Sequence, residues 1–258
     1  MFTLDLAGKT GLVLGVANHR SLAWAIAQQL HAAGARLAFA YAGERLKDKV
    51  EALTSTMDGA LLFACDVTRD EEIERLFARA GETLGRLDYL VHSVAFANKE
   101  DLEGDFINTT RSGFHLAMDI SAYSLVRCVK EALPLMEKNG GSVVTLTYNA
   151  SQRVVPSYNV MGSAKAALEH EVRQLAYELG PKNVRINAIS AGPVNTLSAR
   201  GIHGFLDMLQ VARDKAPLRR SIEPSEVGTA ALFLLSGMSS GITGEILYVD
   251  AGYNIMGT

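Results

Sequence analysis

Short β-rich apolar runs along the chain alternate with longer segments in which apolar residues return every three or four positions. The runs fall at 10–14, 36–41, 60–64, 89–93, 142–146, 185–189 and 246–249. This alternation predicts a parallel sheet of about seven strands covered by helices on both faces, an α/β doubly wound fold. The first helix is read from Leu22, Ile26, Leu30 and Ala33, and Gly34 stops it. Thr68, Arg69, Asp70 and Glu71 have the form of a capping box at the start of the third helix. Gly180 followed by Pro181 marks the end of a long helix over 158–179. No repeat, low-complexity stretch or linker breaks the alternation, so residues 1–258 are expected to form a single domain.

Composition narrows the function. A chain of 258 residues with 48% hydrophobic content can bury roughly 70–75% of its unfolded surface. Its net charge of −3 supplies no basic field for nucleic acid or an anionic membrane. No stretch reaches the ~18 apolar residues of a membrane span, and no basic start leads into an apolar run, so a cytoplasmic protein is expected. Cys65 and Cys128 have no CxxC or paired spacing and read as buried apolar thiols. The six histidines lack the spacing of helical metal ligands, so no metal site is expected. A small-molecule substrate remains.

Four places bear on candidate chemistry. The turn after the first strand, Gly15 to Ala23, brings a glycine out of a strand and a serine, Ser21, to a helix start, where free amides meet a pyrophosphate. Ser21 as a plain helix cap is the other reading. Strand two ends Tyr41-Ala42-Gly43-Glu44-Arg45, which offers neither a clear ribose-binding acid nor a clear 2′-phosphate arginine; NADH is favoured over NADPH. Asp66, after strand three, either meets the adenine edge or shapes the turn before Thr68. Finally, Tyr158 and Lys165 are seven positions apart, which on a helix sets them about 20° from a common face and roughly 10 Å apart.

Taken in order, Gly11–Ala23, Cys65-Asp66-Val67, His92 to Ala97, Tyr148 to Lys165, Asn187 to Pro193 and Gly241 to Asp250 give the chain an end-to-end resemblance to the short-chain dehydrogenase/reductase superfamily. Within it the chain resembles the NADH-dependent enoyl-[acyl-carrier-protein] reductases of bacterial fatty acid synthesis. The resemblance implies a Rossmann-like single domain. It implies cofactor contacts at Gly15, Ser21, Leu22, Asp66, Val67, Ser93, Val94, Ala95, Lys165, Val194 and Thr196. It also implies substrate contacts at Ala97, Tyr148, Tyr158, Met161 and Phe205, and catalytic roles for Tyr158, Lys165 and Tyr148. Tyr148 is expected at the mouth of the site, packing on or gating the thioester, unless it simply ends strand five. Met161 and Phe205 line the acyl pocket or are ordinary core.

The ketone-reducing members of the superfamily differ. They resemble Asn-Asn-Ala-Gly after strand four, where this chain has Ser93-Val94-Ala95-Phe96, and their tyrosine lies four residues before the lysine, where this chain has Met161. Thirteen residues before Tyr158, where they have a catalytic serine, stands Thr145. A wider spacing suits an enoyl thioester: hydride lands on the β-carbon, while the charge gathers on an oxygen two carbon–carbon bonds farther out. The segment 197–215, part of a substrate flap near 195–215, is apolar at Leu197, Ile202, Phe205 and Met208, as a lid over an acyl chain would be; a static helix pair is the alternative. His203, Leu206 and Asp207 stand where carrier-dependent relatives tend to have basic residues, so carrier docking is left open. By resemblance the helices 110–134 and 158–179 build a homotetramer. A reductase of a ketone or a coenzyme A thioester, and a dinucleotide sensor without turnover, are the competing functions.

Overall fold

The computed structural model describes residues 4–196 and 204–257. Its strands are β1 Thr10–Leu14, β2 Arg36–Tyr41, β3 Leu61–Ala64, β4 Tyr89–His92, β5 Gly141–Thr147, β6 Val184–Ala191 and β7 Ile246–Val249. They form one parallel sheet in the order β3-β2-β1-β4-β5-β6-β7. The bounds of β1, β2 and β7 coincide with the sequence pattern. β5 and β6 run longer than 142–146 and 185–189, because they pair with each other from Gly141↔Val184 to Thr147↔Ser190. β3 and β4 each fall one residue short of the expected span.

Alternate residues of one strand feed opposite layers. Leu12 and Leu14 face a layer made by α3 (Asp70–Leu84), α6 (Ser124–Met136) and α7 (Val160–Leu179). Val13 faces α1 (Leu22–Ala32), α2 (Glu44–Thr54) and α9 (Pro224–Leu235). Buried Leu, Ile and Phe side chains on both faces contribute about 1.5–3 kcal/mol each by removal from water. α1 ends as expected: Gly34 takes a φ of +99°, its amide bonds the His31 carbonyl at 2.9 Å and the Ala35 amide reaches back to Leu30 at 3.0 Å. Between α3 and α6 lie α4 (Lys99–Leu102) and α5 (Arg111–Met118), and α8 (Phe205–Lys215) precedes α9. Among the described residues no helix is long and apolar enough to cross a membrane.

Three local expectations are corrected. The Thr68–Glu71 capping box does not form: Thr68 turns back to Asp66, Arg69 is the cap position, and Glu72 accepts from the Asp66 amide at 2.9 Å. The segment 110–134 is not one α-helix, since α5 and α6 are joined by a π-helical turn, Asp119–Tyr123, and Pro134 lies inside α6. Most consequential, α7 begins at Val160, so Tyr158 is in the turn before the helix and not on its face.

Candidate active site

Strand order reverses between β1 and β4, and their carboxyl ends open the crevice where doubly wound folds hold a dinucleotide. Gly15 leaves β1 with a φ of +101°. A Cβ there would stand 2.0 Å from the Ser93 carbonyl oxygen, so this close approach demands glycine. Ser21 is the N-cap of α1, but its side chain does not cap the helix. Its Oγ accepts from the Ala17 and Asn18 amides at 3.0 and 3.1 Å, bracing the loop from within. Its carbonyl takes the Trp24 and Ala25 amides, while the first amides of α1, at Leu22 and Ala23, have no acceptor within a helix. A tight loop, a position that excludes a side chain and amides at the positive helix end fit a pyrophosphate.

Of the other residues expected at the cofactor, Ser93 packs on Gly15 and bonds Leu14 through its amide at 3.1 Å. Val94 and Val67 rest on the α3–α6–α7 side of the core, and Val194 on the opposite side. Asp66 Oδ1 accepts from the Thr68 amide at 3.0 Å and its hydroxyl at 2.8 Å, so the acid shapes its turn with one oxygen. Gly192 brings the chain after β6 against Asp250, within 3.0 Å of where its Cβ would lie.

On the substrate side the aromatic rings of Tyr148 and Tyr158 lie 5.0 Å apart, tilted by 58°. Tyr158 arises from an irregular turn in which Ser157 has φ 61° and Asn159 φ 36°. Asn159 anchors that turn by donating to the Leu102 and Gly104 carbonyls at 3.3 and 3.1 Å. Burial, and then Tyr148, push the Tyr158 phenol well above its ordinary range, so it stays a hydrogen-bond donor at neutral pH. Burial also pushes Tyr148 up to about 12; its hydroxyl reaches Met208 Sδ on α8 at 3.4 Å. Tyr158, Ala97 and Met161 share one apolar cluster with Val160, Leu102 and Ala117. Phe205 is buried at the first turn of α8 but is not part of that cluster. Leu197, Arg200, Ile202 and His203 lie outside the described residues.

Lys165 is buried on α7 and donates to the Leu146 carbonyl at 2.9 Å, leaving two of its N–H donors for other partners. Burial lowers its pKa to about 8, with Glu169 acting against the shift. Nearby His92 is fully buried and held neutral, lowered to about 3 by burial and by Lys165. Ser124 gives its proton to the Ile120 carbonyl at 2.6 Å, so His92 Nε2 donates to Ser124 across 2.8 Å. Nδ1 faces Thr145 Oγ1 at 3.1 Å. Thr145 is thus a buried strand residue engaged with His92, which leaves the ketone reductases' serine without a counterpart at that position. The two cysteines are buried, Cys65 pushed up to about 12 mainly by desolvation.

Sequence reasoning missed three contributors. The π turn presents Ser121, whose Oγ accepts the Phe96 amide at 2.9 Å and so fixes the loop after β4. Asn159 supports the Tyr158 turn. Glu169 is a buried acid on a helix stripe otherwise made of Ala164, Leu168 and Val172. An acid four residues after Lys165 among apolar positions was the signal available.

Residues 15–254 match the family model described as enoyl-(acyl carrier protein) reductase. The chain belongs to that family. It is 53% identical to the NADH-dependent enoyl-[acyl-carrier-protein] reductase FabI of Bacillus subtilis, over 97% of this chain and 98% of that one. It is 47% identical to the NADPH-dependent FabI of Staphylococcus aureus, over 97% and 98% respectively. A crystal structure of the Bacillus cereus enoyl-acyl carrier protein reductase with NADP+ and an indole naphthyridinone superposes with a TM-score of 0.96 at 49% identity and covers 100% of both chains.

Proposed function

We propose that this protein reduces the trans-2 double bond of an enoyl thioester on acyl carrier protein with NADH, a step of fatty acid biosynthesis. The observation that carries this reading is Tyr158, a donor phenol packed at a tilt against Tyr148 and displaced from the helix of Lys165, in a chain of this family. NADH supplies a hydride to C3 of the enoyl group when bound. The Tyr158 hydroxyl donates to the thioester oxygen, stabilising charge that develops mainly in the transition state and the enolate. Tyr148 walls the mouth of the site against Met208 of α8. Ala97 and Met161 give the acyl chain an apolar side, joined by Phe205 and the segment near 195–215, which closes over the substrate and excludes water.

On the cofactor side, Gly15, Ser21 and Leu22 form the pyrophosphate turn, and Ser93, Val94 and Ala95 line the crevice at the end of β4. Val194 and Thr196 meet the carboxamide and phosphates, Asp66 and Val67 the adenine edge. Lys165 holds the ribose hydroxyls through its two remaining N–H donors. NADH is favoured because the chain after β2, Ala42-Gly43-Glu44-Arg45, offers no clear 2′-phosphate arginine, and because the 53% identical Bacillus subtilis relative is NADH-dependent. Residues 1–258 act as one dinucleotide-binding and catalytic unit, in the cytoplasm and as a homotetramer.

The test mixes purified protein with NADH and crotonyl thioester and follows loss of reduced-nicotinamide absorbance, with NADPH and acetoacetyl thioester in parallel. Rapid NADH oxidation by the crotonyl substrate alone is expected. Turnover of acetoacetyl thioester instead moves the chain to the ketone reductases; cofactor binding without oxidation makes it a sensor.

A further inference from the structure

The side chain of Glu169 is 4% exposed, one helical turn beyond Lys165 on α7. Its Oε1 accepts two hydrogen bonds, from Thr147 Oγ1 at 2.8 Å and from Ser151 Oγ at 2.6 Å. Those donors flank Tyr148: Thr147 closes β5 immediately before it, and Ser151 closes the 3-10 turn after it. Arg173, a further turn along α7, brings its guanidinium to 3.9 Å from Oε2. A buried carboxylate needs this much company, since an uncompensated one is costly to remove from water.

We propose that Glu169 is a positioning residue for the reduction: it fastens the segment bearing Tyr148 to the helix bearing Lys165 and sets its negative charge one helical turn from Lys165. The inference rests on the roles given above to Tyr148 and Lys165. Two linked effects follow from one side chain. The hydrogen bonds fix the backbone on both sides of Tyr148, and so the tilted packing of Tyr148 on Tyr158. The charge offsets part of the desolvation that burial imposes on Lys165. The other titratable group coupled to Lys165 among the described residues is His92 of β4, which stays neutral across the working range. Around Glu169 the charged and titratable groups are Lys165 and Arg173 on α7 and Tyr248 on β7, whose phenol Glu169 helps to raise.

Both hydroxyls bond the same carboxylate oxygen, so charge and geometry can be separated. Glu169→Gln leaves an oxygen for Thr147 and Ser151 and removes the charge. A Thr147→Val/Ser151→Ala variant removes the hydroxyls and keeps the charge. On the full chain, kcat/KM for NADH with crotonyl thioester and NADH affinity by fluorescence are measured from pH 6 to pH 9.5. For Glu169→Gln the alkaline fall in both should move down by about one pH unit, a loss of about tenfold at pH 8.5 and little at pH 6. The double variant should keep the fall where it is in wild type and lose kcat several-fold. An unmoved fall in Glu169→Gln, or a loss uniform over pH, overturns the proposal. If Glu169→Gln does not fold by circular dichroism, Glu169→Asp decides: charged but shorter, it should lose kcat with the alkaline fall in place, and a moved fall overturns the idea. A wild-type protein that binds NADH without oxidising it would sink the reductase reading instead, and the affinity profile would still test Glu169.

Discussion

In the proposed reaction the turn after β1 and the turn before α7 serve opposite halves of one site, and they are built on different principles. At the first, recognition is by backbone. Gly15 has no side chain because the Ser93 carbonyl occupies its place, Ser21 spends its hydroxyl inside the loop, and the amides of α1 are left for a phosphate. At the second, recognition is by one phenol whose direction matters, and the chain holds Ser157 and Asn159 at positive φ to aim it. Amides are common to all residues, so an anion site constrains where side chains must be absent. A developing oxyanion two carbon–carbon bonds farther out than a ketone's constrains where one hydroxyl must be present, even at the cost of backbone strain.

The comparison breaks most sharply at Gly15. Gly15→Ala should lower stability by about 3 kcal/mol or more and abolish NADH binding, read by denaturant unfolding and fluorescence titration. A variant with near-native stability and affinity would show that close approach does not govern the cofactor turn. Next comes Ser157→Val, which puts a β-branched residue at φ 61°. It should lose about 1–3 kcal/mol and reduce kcat, with NADH affinity nearly unchanged, because the strain lies on the substrate side.

The pH profile joins the two halves. Lys165 is lowered from 10.5 to about 8, so it is charged below that pH and neutral above it. kcat/KM for NADH should be flat below about pH 7 and fall about tenfold per unit above pH 8. The sign for stability is opposite: between pH 8 and 10.5 the unfolded chain binds a proton that the native one does not, so the contribution of this group rises with pH. A profile flat to pH 10 would contradict a buried Lys165 at the cofactor. The smallest effect is expected from Tyr148→Phe, which keeps the ring against Tyr158 and removes the hydroxyl at Met208. KM for the thioester should rise a few-fold with kcat nearly intact.

The same contrast explains what could be read from the sequence. Strand positions were legible because a strand covered on both faces must be apolar throughout, and β1, β2 and β7 fall where the pattern set them. Gly15 stood out because few residues other than glycine tolerate such a turn. The substrate side was legible in its chemistry and not in its geometry. Tyr158 and Lys165 were found as a pair, yet the helical spacing that linked them does not hold, because Ser157 and Asn159 adopt conformations that propensity assigns to neither. A cap at Thr68, and the alternative reading of Ser21 as one, follow from residue type, but each hydroxyl bonds within its own turn. The π turn and Glu169 depend on tertiary partners, Phe96 in one case and Thr147 and Ser151 in the other, which local pattern does not contain.

The central claim is that Tyr158 stabilises charge on the thioester oxygen from outside the helix that carries Lys165. It is tested most directly by single-turnover hydride transfer from NADH and from its 4-deuterated form to crotonyl thioester, in wild type and in Tyr158→Phe. A chemical step slowed by about 10²–10³ is expected in the variant, with the isotope effect fully expressed and NADH affinity unchanged. An unchanged hydride-transfer rate in Tyr158→Phe would contradict it.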